Sequence, residues 1–172
     1  VAAVVTSTGS PPAAAATILV DFGPNDVTNG DSTPSPDYLG QYWNNFIGTG
    51  GGGGLAALNL SNLITTNNTP TTIGLISSAS GWAANGKLNG GLLTPSYALL
   101  GDFAVTNATE DYFHTTSSAS ITITNLDPAA TYSLRLFGTR NITSNRVTRY
   151  VVTGGNGSFT NDLTTSGTGI GS

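Results

Sequence analysis

The sequence predicts an all-β fold, an antiparallel β-sandwich or jelly roll with long Gly/Asn/Pro-rich loops. Three observations carry that expectation. Short runs of residues alternate apolar and polar side chains with the two-residue period of a strand buried on one face. Turn residues punctuate these runs, and Asn-Gly, which suits the left-handed backbone of a tight hairpin, recurs at Asn29, Asn85, Asn89 and Asn156. No segment shows the 3.6-residue apolar period of an amphipathic helix longer than about three turns.

The elements follow in order. Val1 to Val5 is a short apolar run, and the Gly, Ser, paired Pro and alanine tract behind it read as an extended linker. Residues 1–16 are therefore expected to form an N-terminal arm, and residues 17–172 the sandwich domain. Ile18-Leu19-Val20 makes a buried first strand that runs through Asp21 and Phe22 and stops at Gly23-Pro24. A polar loop reaches Asp37, Tyr42-Trp43-Asn44-Asn45-Phe46 follows, and a glycine tract spans 50–54. The stretch 55–64 fits either a short helix or a strand. A strand is expected over 71–76. Ile121 and Ile123 share one face, against Ser120, Thr122 and Thr124 on the other. Tyr132, Leu134 and Leu136 share a face opposite Ser133, Arg135 and Phe137. Residues 147–153 and 158–164 form two more strands across a Gly-Gly-Asn-Gly turn. Leu126-Asp127-Pro128 leading into Tyr132 has the form of a tyrosine corner, in which the phenol bonds back to the upstream backbone.

Composition narrows the function classes. Only 8 % of the 172 residues are charged, against about 25 % in an ordinary globular domain. The 38 % hydrophobic content separates the chain from disordered segments, which combine low hydrophobicity with high charge. Ser, Thr, Asn and Gly supply the polar surface, as is common in extracellular proteins, and a secreted or cell-surface location is expected. The net charge is −4, and the arginines 135, 140, 146 and 149 form no basic stripe, so no nucleic acid is expected as a partner. With no Cys and one His, the chain offers no disulfide framework and no ligand set for structural zinc. The absence of Met means Val1 is not an initiator, and the chain reads as a mature product or a fragment. No apolar run approaches the roughly 20 residues of a membrane-spanning helix.

Three short strings imitate a Ser-His-Asp esterase: Gly30-Asp31-Ser32, Gly23-Pro24-Asn25-Asp26 and Asp111-Tyr112-Phe113-His114. Such chemistry needs Ser32 activated by His114, with Asp111 orienting the imidazole. The blocks stand in the wrong order, and no alternation of strands and helices surrounds them. No catalytic residue is assigned, and the protein is not expected to be an enzyme.

Binding chemistry has more candidates. Tyr42, Trp43 and Asn44 combine aromatic faces that stack on sugar rings with an amide that bonds hydroxyls, and Trp82 lies in a second loop. Each tryptophan reads equally as a core residue. Asp21, Asn25, Asp26 and Asp31 offer oxygen ligands around one loop; no cofactor is otherwise expected, and a structural Ca²⁺ there is the exception the sequence allows. Asn59, Asn67, Asn107, Asn141 and Asn156 each open an N-x-Ser/Thr glycosylation sequon.

Taken together, Ile18-Leu19-Val20-Asp21-Phe22-Gly23, Tyr42-Trp43-Asn44-Asn45, Gly101-Asp102-Phe103-Ala104, Asp111-Tyr112-Phe113 and Leu126-Asp127-Pro128 through Arg140 give the chain a family likeness. It resembles the galactose-binding-like β-sandwich modules of secreted bacterial proteins, often adjacent to esterases and other glycan-active enzymes. The resemblance runs from Thr17 to the C-terminus. It implies a jelly roll with a non-catalytic role, and carbohydrate as a ligand class. Such modules close with a further strand pair beyond the Thr-Ser-Gly at 165–167, which this chain lacks, and open sheet edges invite pairing with another chain.

Two functions follow as expectations. One is a self-assembling structural or adhesive subunit, of fibre or surface-layer type, in which Val1, Val4 and Val5 form a strand donated to another copy of the chain. The alternative is the carbohydrate-binding module of a larger secreted enzyme, with a polysaccharide as partner.

Overall fold

A computed structural model describes residues 2–8, 16–49, 55–155 and 157–168. Strand makes up 42 % and helix 9 %, which settles the all-β class. The strands are β1 (Ala2–Thr8), β2 (Ala16–Gly23), β3 (Trp43–Ile47), β4 (Asn59–Leu60), β5 (Gly74–Ser77), β6 (Ala83–Asn85), β7 (Tyr112–His114), β8 (Ile121–Thr124), β9 (Thr131–Phe137), β10 (Arg146–Gly154) and β11 (Gly157–Ser166). Two single-turn helices, α1 (Tyr97–Leu100) and α2 (Thr106–Thr109), lie between β6 and β7. The glycine tract 50–54, Val1 and Asn156 lie outside the described residues.

The largest sheet has the order β3-β2-β1-β9. Its centre corrects the expectation that residues 1–16 stand apart as an arm. β1 is antiparallel to β2 on one side and to β9 on the other, with Ala3 opposite Val20 and Leu136, and Val4 opposite Leu19 and Arg135. The physical reason is alternation: Ala3 and Val4 point to opposite faces, and both are buried, each in a different hydrophobic cluster. The boundary expected at Thr17 thus falls inside the β1–β2 pair. The expectation of antiparallel strands also needs one amendment. β2 and β3 run parallel, from Leu19 opposite Trp43 to Gly23 opposite Ile47, and the long loop over 24–42 supplies the crossover that parallel pairing requires.

The sheet is apolar on both faces. On the first, Ala3, Ile18, Val20, Phe22 and Phe46 meet Leu63, Leu75, Ala84 and Phe113, with Ile121, Ile123, Tyr132, Leu134 and Leu136 packed around them. Phe22 touches Phe46 and Phe113 edge-on, at centroid separations of 5.5 and 5.9 Å, an arrangement favoured by the ring quadrupoles. This cluster joins the large sheet to two of the three smaller ones, β4-β5-β8 and β6-β7. On the second face Val4, Leu19 and Trp43 are covered by Phe103, Val105 and Ala108, from the segment that holds α1 and α2. Burial on both sides explains why residues 18–20 read as a continuous apolar run.

The ambiguous stretch 55–64 is almost wholly irregular, with only Asn59–Leu60 pairing as β4. Its backbone is satisfied piecemeal, Leu55 N–H donating to the Trp82 carbonyl at 2.8 Å and Leu63 N–H to that of Ile73 at 2.9 Å. The tyrosine corner is present: Asp127 N–H donates to the Tyr132 hydroxyl at 2.8 Å. β10 and β11 form a separate hairpin from Arg146 opposite Ser166 to Gly154 opposite Gly157. It is tied at its base, where Arg140 N–H donates to the Thr165 carbonyl and the Ser166 hydroxyl to that of Ser144, both at 2.8 Å. Beyond that base Val147, Val151 and Phe159 are exposed.

Leu19 is completely buried, with strands on both sides. Leu19→Ala is expected to cost about 2–5 kcal/mol of unfolding free energy, read as a lowered urea midpoint at unchanged slope. A loss below about 0.5 kcal/mol, the scale of a surface change, would contradict its place in the core.

Candidate functional site

The second face of β2 changes character along its length. Leu19 and its neighbours make the apolar half. Two residues on, Asp21 points the same way, and two further on stands Gly23. Asn45 lies beside Asp21 across the parallel β2–β3 pair. Thr33, returning from the long loop, connects the two: its N–H and hydroxyl donate to Asp21 Oδ2 at 3.1 and 2.8 Å, and its carbonyl accepts from Asn45 Nδ2 at 2.9 Å. Over Gly23 lies the carboxylate of Asp111, so close that a Cβ at that position would collide with it. The same carboxylate crowds Gly30 at the end of the 26–30 turn. Two glycines thus provide the space that Asp111 occupies.

These groups form a buried, oxygen-rich pocket short of donors. Asp111 is 2 % exposed and Asp21 3 %. Asp21 Oδ1, Asn45 Oδ1 and both oxygens of Asp111 are buried without a hydrogen-bond partner. A buried unpaired carboxylate is costly, and in such a site it takes up a proton or a counter-charge. Burial raises the Asp21 pKa to about 6, opposed by the two Thr33 hydrogen bonds. Burial, and then the charge of Asp21, raises that of Asp111 to about 9. Glu110 adds negative charge beside the pair and accepts from Asp31 N–H at 3.0 Å.

The sequence-predicted residues are dispersed. The four proposed calcium ligands do not converge, because three are engaged in local turns or face solvent. Asp26 accepts from Thr28 N–H and from the backbone and side chain of Asn29; Asn25 Oδ1 accepts from Ser32 N–H; Asp31 is exposed. Asp21 alone lies in the pocket. Among the described residues no group of three or more His, Cys, Asp or Glu is arranged to hold a metal.

Trp43 is a core residue, 2 % exposed, and its indole N–H donates to Asp37 Oδ2 at 2.8 Å, so no ring face is open to a sugar. Asn44 is equally committed, donating to the carbonyls of Leu19 and Ile64 and accepting from Ile64 N–H. Tyr42 and Trp82 are half-buried; Trp82 packs on Phe113 and donates to the Ser120 carbonyl at 3.1 Å. In the esterase-like set, the Asp111 oxygens and His114 Nδ1 lack hydrogen-bond partners, so Asp111 does not orient the imidazole.

Of the assembly residues, Val4 is buried in its own sheet, Val5 pairs through its backbone with Ile18 and Leu134, and Val1 lies outside the described residues. The sequons at Asn59, Asn67 and Asn141 are exposed, Asn107 is half-buried, and Asn156 lies outside the description. The pocket partners Asn45 and Asp111 were missed from the sequence. The readable signal was a charged residue, Asp21, inside an otherwise apolar strand, which demands a polar neighbour.

Comparison of the chain with protein-family models, with curated proteins and with solved structures finds no match in any of the three. The functional reading therefore rests on the geometry alone.

The carboxyl pair makes a prediction about pH. An acid whose pKa is raised in the folded state holds its proton more tightly there. The stability this supplies is complete below the unfolded carboxylate range, near pH 4, and is lost as pH rises through the folded values. In chelator-treated buffer the melting temperature is expected to fall between pH 4 and 9, with Asp21 dominating the lower part of the window and Asp111 extending the fall to its top. Asp111→Asn, which cannot ionise, is expected to flatten the upper part and to be more stable than the parent at pH 9. A parent protein that gains stability across this range would contradict the buried pair.

Proposed function

We propose that this chain is a non-catalytic, extracellular structural or adhesive subunit that assembles with other copies of itself by strand addition. The observation that carries this reading is the position of β1. It fills the gap between β2 and β9, and residues 9–15 separate it in sequence from β2. Another copy can supply an identical strand to the same gap with every cross-strand contact preserved, which is the logic of strand exchange. A chain whose own β1 has left presents two open strand edges and uncovers Leu19 and Val20, a strong incentive to accept a replacement.

Two further features favour the reading. The β10–β11 hairpin carries exposed Val147, Val151 and Phe159 with no third strand beside it among the described residues, and two-stranded hairpins are only marginally stable alone. Low charge density also weakens repulsion between copies. In this proposal the sheets close as a sandwich of jelly-roll type, in keeping with the galactose-binding-like resemblance. The carbohydrate-binding alternative retains Tyr42 and Trp82 but loses Trp43 and Asn44 to the core.

Cysteine pairing tests the proposal cleanly because the sequence contains no Cys. Val4 and Arg135 are opposed across β1 and β9, at a separation of roughly 4.5–5.5 Å between Cα atoms in such pairs, within disulfide reach. Val4→Cys and Arg135→Cys chains, mixed and co-refolded, are expected to yield a disulfide-linked pair of the two variants. The double variant is expected to give a ladder on non-reducing gels. Internal bridging alone in the double variant, with no cross-linking in the mixture, would overturn the proposal.

A further inference from the structure

The four orphan oxygens in the pocket share one property: every one of them is an acceptor. Asp21 Oδ1, Asn45 Oδ1 and Asp111 Oδ1 and Oδ2 have no donor within reach, and the donors that are present serve other atoms. Thr33 is spent on Asp21 Oδ2, and the Asn45 amide NH₂ on the Thr33 carbonyl. The oxygens also lie together in the fold. Asp21 and Asn45 are cross-strand neighbours on one face, and Asp111 covers Gly23, the next position along that face.

Folding around such a set requires positive charge. Two protons on the carboxyls turn two of the four oxygens into donors for the other two, but only by holding both acids protonated at neutral pH, where an ordinary carboxyl is ionised. A single divalent cation satisfies all four at once and offsets both negative charges. The donor set is all oxygen, with no nitrogen or sulfur, which selects a hard ion. Its composition, two carboxylates and an amide oxygen in a site closed to bulk water, suits Ca²⁺ better than Mg²⁺. Calcium accepts irregular geometry and bidentate carboxylates, whereas Mg²⁺ holds several waters in strict octahedral order. We propose that Asp21, Asn45 and Asp111 form a structural Ca²⁺ site. Asp111 is the bidentate ligand, and the remaining positions, about two to four in a typical Ca²⁺ shell, fall to backbone carbonyls or water. The site differs from the loop set Asn25, Asp26 and Asp31, whose side chains are turned elsewhere. Two carboxylates with an amide oxygen need no third acidic ligand.

A site of this kind stabilises the end of the large sheet, because its ligands come from β2, from β3 and from the segment before β7. It is independent of strand exchange: a monomer that never assembles would bind the ion equally well.

The test uses the full chain, stripped with a chelator and titrated at pH 7 with CaCl₂, with MgCl₂ and NaCl as controls. Calcium at about one hundred times its Kd is expected to raise the melting temperature by roughly 5–10 °C. Magnesium should do much less and sodium nothing. The rise should be absent in Asp111→Asn and kept in Asp31→Asn. Should Asp111→Asn fail to fold, the parent still decides the matter by infrared spectroscopy. Calcium is expected to remove the protonated-carboxyl band of the stripped protein at pH 7 and to replace it with carboxylate absorption. A calcium titration that leaves both the melting temperature and that band unchanged would show that the pocket holds protons alone, and would overturn the assignment.

Discussion

The structure depends on the double ladder that β1 makes with β2 and β9. A central strand has both edges in use, so its removal unmakes two sets of backbone hydrogen bonds and splits the sheet between β2 and β9. It also opens both hydrophobic clusters, since Ala3 belongs to one and Val4 to the other. β2 shares this inner position, while β3 and β9 are the edges of the sheet and β10 pairs with β11. A strand with both edges in use is the element that the proposed assembly would exchange between copies.

The second consequence concerns the face beneath the ladder. Its apolar half is sealed by Phe103, Val105 and Ala108, and its polar half by Thr33 and Asp111. The two halves use one strand alternation, Leu19, Asp21 and Gly23, to build different chemistry within a few ångströms. Glycine at 23 and 30 is required because the Asp111 carboxylate takes the volume a side chain would fill. A polar pocket that tolerates so little displacement specifies how the loop over 24–33 must return to the sheet, in addition to whatever charge it holds.

Much of this was legible from residue order. The alternation of Tyr132, Leu134 and Leu136 gave the correct buried face of β9, and Ile121 with Ile123 that of β8, because a one-sided strand writes its burial in a period of two. The Tyr132 corner was readable from its Pro-containing turn. Pairing partners were not legible, since the same short apolar run serves equally as an arm or as a central strand; Val1 to Val5 carries no mark of which. Nor did the sequence distinguish a core tryptophan from an exposed one. Trp43 is buried through its bond to Asp37, in a loop whose path local rules do not set. The oxygen pocket escaped for a related reason. Asp21 and Asp111 lie far apart in the chain, and only the fold reveals that Gly23 makes room for the second carboxylate.

The claim on which the rest stands is that β1 is a structural member of the sheet. Native-state hydrogen exchange of the backbone amides of residues 3–8, compared with those of β2 and β9, measures it most directly. Protection of all three strands by one common opening free energy, equal to that of global unfolding, is the predicted result. Amides in β1 that exchange at the rate of an unstructured peptide while β2 and β9 stay protected would contradict it.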